Sequence, residues 1–211
     1  MVTQHIPGAD TLYKLGKEDI SRAQKVLAEA FAEDPFVASL FEDRPAEPQR
    51  AELLQRFSLE CAIKYGHVYA SSPRLEGIII FYAPEKMFMS DWEYLKLGVL
   101  SLKKKIHKNI VGLMDEYGGY SKQLHKAYAA MPHWYLYEIG VSPAHRGEHV
   151  ATKLLAPFLD YFDSHELACY LETHNEKNVG LYKHYGFEVV GEGKLPGTDR
   201  PQWCMLRAPK R

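Results

Sequence analysis

At 211 residues, with 46% hydrophobic and 25% charged residues and a formal net charge of -1, the chain is long enough to bury a core and too apolar for disorder. Its near-neutral balance argues against a nucleic-acid-binding surface, and no apolar run is long enough to span a bilayer. Three cysteines, Cys61, Cys169 and Cys204, lie far apart without metal-ligand spacing. They fit a reducing compartment, so one soluble cytoplasmic domain over 1–211 is expected.

In chain order, residues 1–10 are polar and Thr11 to Leu15 reads as a short strand before Gly16. Ile20, Ala23, Val26, Leu27, Ala30 and Phe31 describe a helix face that Asp34-Pro35 should stop. Pro45 and Pro48 punctuate the next start, and Leu54, Phe57, Cys61 and Tyr65 carry a second helix that Gly66 closes. His67 to Ala70 and Gly77 to Tyr82 read as strands around Ser71-Ser72-Pro73. The unbroken Ile78-Ile79-Ile80 run belongs in a sheet interior. Residues 84–132 look like a helical insertion between strands. Leu95, Val99, Leu102, Ile106, Ile110 and Leu113 form one stripe behind a Ser90-Asp91 cap, weakened at Gly98 and Gly112; Gly118-Gly119 separates it from a shorter helix through Leu124, Ala127 and Tyr128. Met87, Phe88, Met89, Trp92 and Tyr94 at its start either line a site or pack on the sheet. Lys103-Lys104-Lys105 is a solvated face.

His133 to Val141 is aromatic and β-branched, a strand. After it the chain turns through a loop into a helix whose apolar face is Val150, Leu154, Leu155, Phe158, Leu159 and Phe162, beginning near Gly147 and kinked at Pro157. A helix start presents unpaired N–H groups and the positive end of the helix dipole, which together attract phosphate. Gly147 lets an anion approach the main chain, and Arg146 adds a fixed charge with several donors. By itself this pattern is equally that of an ordinary strand-helix connection. A strand from Ala168 to Thr173, a helix from Lys177 to Tyr185, and strands from Phe187 to Glu192 and Gln202 to Arg207 complete the chain.

Val141, Pro143, Arg146, Gly147, His149 and Ala151 resemble the coenzyme A loop of the GNAT superfamily of N-acetyltransferases, with His149 where the family usually has glycine. Asn175, Tyr182, Gly186 and Phe187 resemble the family's later signature in register. The run from Tyr170 to Arg207 is also similar to the C-terminal end of puromycin N-acetyltransferases. The resemblance implies an α/β (α+β) fold: a GNAT-like mixed, largely antiparallel central sheet with a splayed parallel strand pair, flanked by helices, with the insertion added. It implies acetyl-CoA as co-substrate. The pantetheine arm would lie between the strands ending at Val141 and Thr173, beside Ile139, Gly140 and Val141 and within reach of Asn175 and Asn178. The pyrophosphate would sit over Arg146, Gly147, Glu148, His149, Val150, Ala151 and Thr152, with Lys153 or Lys177 toward the adenosine phosphates.

On the same resemblance a neutral amine attacks the thioester directly, and Tyr182 protonates the departing thiolate. Glu172 ranks first and Glu138 second as the acceptor of the amine proton, each equally readable as a strand carboxylate holding a hydroxyl. His133, His145, His149, His174 and His184 form no ligand pair of metal spacing, so no metal is expected. Cys169 reads as a buried small hydrophobe. The expected activity is acetylation of a small-molecule amine, aminonucleoside-like or another xenobiotic. Nucleic-acid and membrane partners are not expected, and a homodimer stays open. The alternatives are a non-catalytic acyl-CoA-binding or sensing module and a peptide or protein N-acetyltransferase.

Overall fold

The computed structural model describes residues 6–41, 48–106 and 108–209; Pro45 lies outside them. Seven strands make one sheet: β1 (Tyr13–Lys14), β2 (His67–Ala70), β3 (Gly77–Tyr82), β4 (His133–Val141), β5 (Ala168–Thr173), β6 (Glu188–Lys194) and β7 (Pro201–Arg207). Their order is β1-β2-β3-β4-β5-β7-β6. Every pair is antiparallel except β4 and β5, the parallel pair. These two are joined only where His133, Trp134 and Tyr135 face Ala168, Cys169 and Tyr170. Beyond that, β4 and β5 are unpaired with each other. This is the mixed, largely antiparallel sheet with one splayed pair that the resemblance implied.

A bulge in β4 decides what faces where. Leu136 pairs with Phe81 and Glu138 with Ile80, which leaves Tyr137 as an extra residue. One extra residue reverses the alternation of side chains beyond it. Trp134 and Leu136 therefore share a core with Ile139 and Val141. Tyr135 belongs to the core on the opposite face, where a Cβ on Gly140 would meet Leu27 and Glu138 reaches Ser58.

The first face is covered by α7 (Val150–Ser164) and α8 (Glu176–His184). Leu154, Leu155, Phe158 and Phe162 of α7 are fully buried, and Phe158 and Phe162 lie 4.4 and 5.6 Å from the Phe81 ring. The second face is covered by α1 (Ile20–Ala30) and α3 (Pro48–Tyr65), through Ala23, Leu27, Leu59 and Ala62. Packing of α1 on β4 depends on Gly140, whose Cβ would come within 2.9 Å of Leu27 Cδ2 and 3.1 Å of Ala30 Cβ.

Several expected boundaries differ. Strand β1 is shorter than expected because Ala9–Thr11 forms a 3-10 turn. Asp34-Pro35 begins a helix and does not end one: α1 stops at Ala30, and Asp34 Oδ1 accepts from the N–H groups of Phe36 (2.9 Å) and Val37 (3.2 Å) to cap α2 (Pro35–Leu40). Aspartate at the cap with proline at the first helical position is a favoured start, since that proline has no N–H to waste. The insertion holds three helices, α4 (Asp91–Lys96), α5 (Val99–Lys105) and α6 (Lys108–Tyr128). Its stripe breaks at Gly98, whose φ of 82° is left-handed, whereas Gly112, Gly118 and Gly119 run inside α6. Packing of both ends of α6 outweighs the propensity cost of those glycines. Helix α7 begins at Val150, later than Gly147, and keeps Pro157 in its interior.

Gly140→Ala is expected to destabilise the chain by about 1–3 kcal/mol through overpacking against α1. Gly112→Ala, at a helical position with open space around it, should stabilise by roughly 0.5–1 kcal/mol. Urea unfolding of both variants checks the pair, and similar effects would contradict the packing assigned to Gly140.

Candidate active site

The loop between β4 and α7 is built to leave donors free. Ser142 N–H donates to the Glu76 carbonyl at 2.9 Å, which fixes the chain as it leaves β4. Gly147 and His149 both take left-handed φ, 85° and 57°. His149 is the N-cap of α7 and makes no side-chain cap bond, so the first N–H groups of the helix have no cap from it. A Cβ at Gly147 would meet nothing within 4 Å, so the main chain there is open to a bulky anion. These features fit a pyrophosphate, and the glycine usual at position 149 is explained: the backbone there is left-handed, and histidine adopts it with its side chain exposed.

The other expected loop residues divide by what they touch. Arg146 is exposed and donates through Nη2 to the Ala30 carbonyl at 3.2 Å, at the C-terminal end of α1. Glu148 turns to His145 (3.0 Å), so its carboxylate is held beside that ring and any ligand contact from it would come from the backbone. Thr152 meets the Tyr185 hydroxyl at 2.6 Å and ties α7 to the end of α8. Val150 is buried beneath the loop, where it packs in the first core. Asn175 is the N-cap of α8, its Oδ1 accepting from Lys177 N–H at 3.1 Å. Its amide NH2 group takes no part in that cap, and Oδ1 keeps a second lone pair. Asn178 lies in the first turn of α8, and its N–H donates to the Asn175 carbonyl.

The three expected catalytic side chains lie on three elements, Tyr182 on α8, Glu138 on β4 and Glu172 on β5. Tyr182, on α8, is buried in the first core, 5.9 Å ring to ring from Phe187. Arg207 holds the end of that helix: Nε donates to the Tyr185 carbonyl (2.9 Å) while Nη2 pairs with Asp163 of α7 (2.7 Å). Burial, then the nearby Asp34 carboxylate, raises the Tyr182 phenol above its ordinary value. From the other face, Glu138 Oε1 accepts from Ser58 at 3.2 Å, while Oε2 is buried with no hydrogen-bond partner. Burial pushes the Glu138 carboxyl up to about 8; Ser58 opposes this and the Asp34 charge adds to it.

Glu172 occupies a different environment on β5. Its oxygens accept from Tyr117 (3.0 Å), Ser121 (3.0 and 3.1 Å), Tyr170 (3.1 Å) and Tyr135 (3.3 Å), and its side chain is 2% exposed. Burial raises its carboxyl while these hydroxyls pull it down. Asp34, Ser58, Tyr117, Ser121 and Tyr135 were not anticipated as site residues. Tyr117 and Ser121 carried a signal, a four-residue spacing on α6 that the expected break at Gly118-Gly119 concealed.

The residues at the start of the insertion differ in what they touch: Met87 packs against the second core and Tyr94 lies 6.3 Å ring to ring from Phe57 of α3. Trp92 is 64% exposed with Lys96 stacked on it, and Phe88 packs edge-on against His125. Beside Glu172 the wall comes from α2 and α6, where Phe36 and Tyr117 lie 4.4 Å apart and line a surface hollow with Ser39, Leu113, Leu195 and Pro196. Among the described residues, no group of three or more His, Cys, Asp or Glu could hold a metal ion, and no helix is long and apolar enough to cross a membrane.

A mixed sheet parted at its one parallel pair, beside an open helix start, defines the acetyltransferase fold that the sequence motifs resembled. A family model described as Acetyltransferase (GNAT) family matches residues 82–187, half of the chain, and the chain belongs to that family. It is 25% identical over 206 residues to an uncharacterized N-acetyltransferase of Schizosaccharomyces pombe, covering 92% of this chain and 81% of that protein. The fold is similar to that of a Corynebacterium glutamicum protein described as histone acetyltransferase HPA2 and related acetyltransferase, with TM-score 0.64 and 21% identity over 95% of this chain and 96% of that one. It is also similar to arylalkylamine N-acetyltransferase 2 of Aedes aegypti, with TM-score 0.60 and 14% identity over 94% and 98%.

The Glu138 carboxyl binds its proton more tightly in the folded chain than unfolded, so it costs stability as pH rises from the ordinary carboxylate range through about 8. Glu138→Gln removes that loss. The expected result is a melting temperature near wild type at pH 5 and above it at pH 9; parallel curves for the two proteins would refute the burial assigned to this group.

Proposed function

We propose that the protein transfers the acetyl group of acetyl-CoA to the amine of a small molecule, by direct attack in a ternary complex. The observation that supports this best is the unpaired stretch of β4 and β5, with Tyr182 on one face of the sheet and Glu138 on the other. Members of this family use acetyl-CoA, and the backbone of Ile139, Gly140 and Val141 is free along the β5 side to pair with the pantetheine amides as a strand would. The pyrophosphate would rest on the open main chain at Gly147 and the start of α7, with Arg146 beside it.

Holding the amine against the thioester carbonyl supplies most of what the reaction needs, since a neutral amine is a competent nucleophile. As the C–N bond forms, Glu138 takes the amine proton, and a backbone N–H near Ile139 or Gly140 donates to the oxyanion. The C–S bond then breaks, and Tyr182 gives its phenolic proton to the leaving thiolate and regains one from solvent. Glu138 stands ahead of Glu172 in this scheme, reversing the order expected from sequence. It has an unpartnered oxygen and a carboxyl poised near neutral pH, where a base works best, whereas Glu172 is sealed among hydroxyls. Aromatic walls from Phe36 and Tyr117 favour an acceptor with an apolar or aromatic body, a class that includes aminonucleosides and arylalkylamines. Three buried free thiols suit the reducing cytoplasm.

Free-thiol release from acetyl-CoA across a panel of small amines tests the reading. Tyr182→Phe and Glu138→Gln should each lower kcat by about a hundredfold or more with acetyl-CoA affinity kept. The glutamine variant should also lose the fall in rate on the acid side of pH 8. Acetyl-CoA binding without turnover of any amine would favour a sensing module, and turnover of peptides alone a protein acetyltransferase.

A further inference from the structure

The acetyl-transfer scheme leaves unused a buried carboxylate beneath the loop between β4 and α7. Glu76 closes the turn from β2 to β3, and its side chain is 10% exposed. Oε2 accepts from the hydroxyls of Ser71 and Ser72, each at 2.7 Å, and Oε1 accepts from Arg74 Nε at 2.9 Å. Both serines are themselves held: Ser71 Oγ accepts from Gly77 N–H (3.2 Å) and Ser72 Oγ from Arg74 N–H (3.0 Å). Those bonds leave each hydroxyl hydrogen for the carboxylate. Within the same turn Leu75 is buried at a φ of 64°, a left-handed backbone that bulky side chains rarely adopt. Such a conformation persists only where its surroundings over-determine it.

The locked turn touches the loop at both ends. The Glu76 carbonyl accepts from Ser142 N–H at 2.9 Å, where the loop begins. A Cβ on Gly77 would lie 2.7 Å from Val150 Cγ1 and 3.0 Å from Leu154 Cδ1, so the start of β3 is seated under the start of α7, where the loop ends. Arg22 of α1 donates to the Pro73 carbonyl at 2.8 Å and ties the turn to the other helix layer.

We propose that Glu76 is a positioning residue for the pyrophosphate of acetyl-CoA, locking the β2–β3 turn so that the turn fixes where the loop leaves β4 and where α7 begins. The step to acetyl-CoA rests on the acetyl-transfer reading; the locked turn does not. An anion held by backbone N–H groups depends on where those groups point, and they point where the ends of the loop are anchored. Between its ends the side-chain contacts of the loop are exposed ones, Arg146 to the Ala30 carbonyl and His145 to Glu148. Its placement therefore falls to the buried anchors at Ser142 and Val150. Ser71 and Ser72 hold the Glu76 carboxyl down to about 2, so the lock is a charged group across the physiological pH range. Arg74, with its side chain 86% exposed, adds little to it.

Glu76→Gln keeps the length of the side chain but only one acceptor oxygen. S-acetylpantetheine, which carries the thioester and amides of acetyl-CoA without its pyrophosphate, separates positioning from general damage. The expected result for Glu76→Gln is an acetyl-CoA KM raised about tenfold with kcat and the acceptor KM unmoved, and an unchanged rate with acetylpantetheine; Arg74→Ala should match wild type with both. An acetyl-CoA KM that stays at the wild-type value, or an equal loss with both co-substrates, overturns the proposal. Hydrogen exchange at the Ser142 amide of the unliganded chain tests the lock without any co-substrate. Exchange there should quicken in Glu76→Gln, and a rate as slow as wild type overturns the lock. If the wild type binds no acetyl-CoA while Ser142 responds, the acetyl-transfer reading and the pyrophosphate step fail together and the locked turn stands.

Discussion

The parting of β4 from β5 after three paired residues governs the rest of the molecule. Parallel strands inside a sheet normally satisfy each other's N–H and C=O groups along their whole length, and buried groups without partners are costly. Here the stretch from Leu136 to Val141 keeps its antiparallel bonds to β3 but faces no strand on the other side. Such an inner edge is a slot for something extended that carries its own amides. Both layers of helices are held so that the slot stays open: α7 and α8 are joined by Thr152 to Tyr185 and by Arg207, and α1 is seated on Gly140.

The bulge at Tyr137 sets which side chains face each side of the sheet beside the slot. Without the extra residue, Glu138 would follow Trp134 and Leu136 onto the α7 face, into a core of phenylalanines with no polar group to receive it. With it, Glu138 reaches Ser58 on α3, and Ile139 and Val141 return to the apolar core. Glu138 and Glu172 then lie on the same face with opposite fates. Four hydroxyls compensate the burial of Glu172, so its carboxyl is held in place. Glu138 has one, and its second oxygen is bare. A buried carboxyl short of donors keeps its proton to higher pH; one with its lone pairs filled is fixed in place.

Much of this was legible in the sequence because strong local signals and tertiary needs agree. The aromatic run to Val141, the α7 stripe and the Asn175 to Phe187 signature each specify one element, and each stands where its residues predicted. Two of the failures share a cause, the reading of glycine and proline as breaks. Asp34-Pro35 is a helix start, and Gly118-Gly119 lies within a helix whose neighbours hold it. Cutting α6 there hid the spacing of Tyr117, Ser121 and His125, and with it the partners of Glu172. The bulge at Tyr137 left no mark, since it depends on the register against β3 and on no residue type in β4 alone.

His149 shows how a departure from a family pattern can keep the geometry the pattern serves. The position needs a left-handed backbone, which glycine adopts without strain and a side chain adopts at about 1–2 kcal/mol. Histidine is among the residues that tolerate it best, and here its ring is exposed, with nothing to displace. The open stretch of main chain lies two residues earlier, at Gly147, where a Cβ would itself meet open space. The loop therefore divides between two residues what a pair of glycines would share: Gly147 leaves the main chain open, and His149 sets the turn into α7 while leaving the helix N–H groups without a side-chain cap.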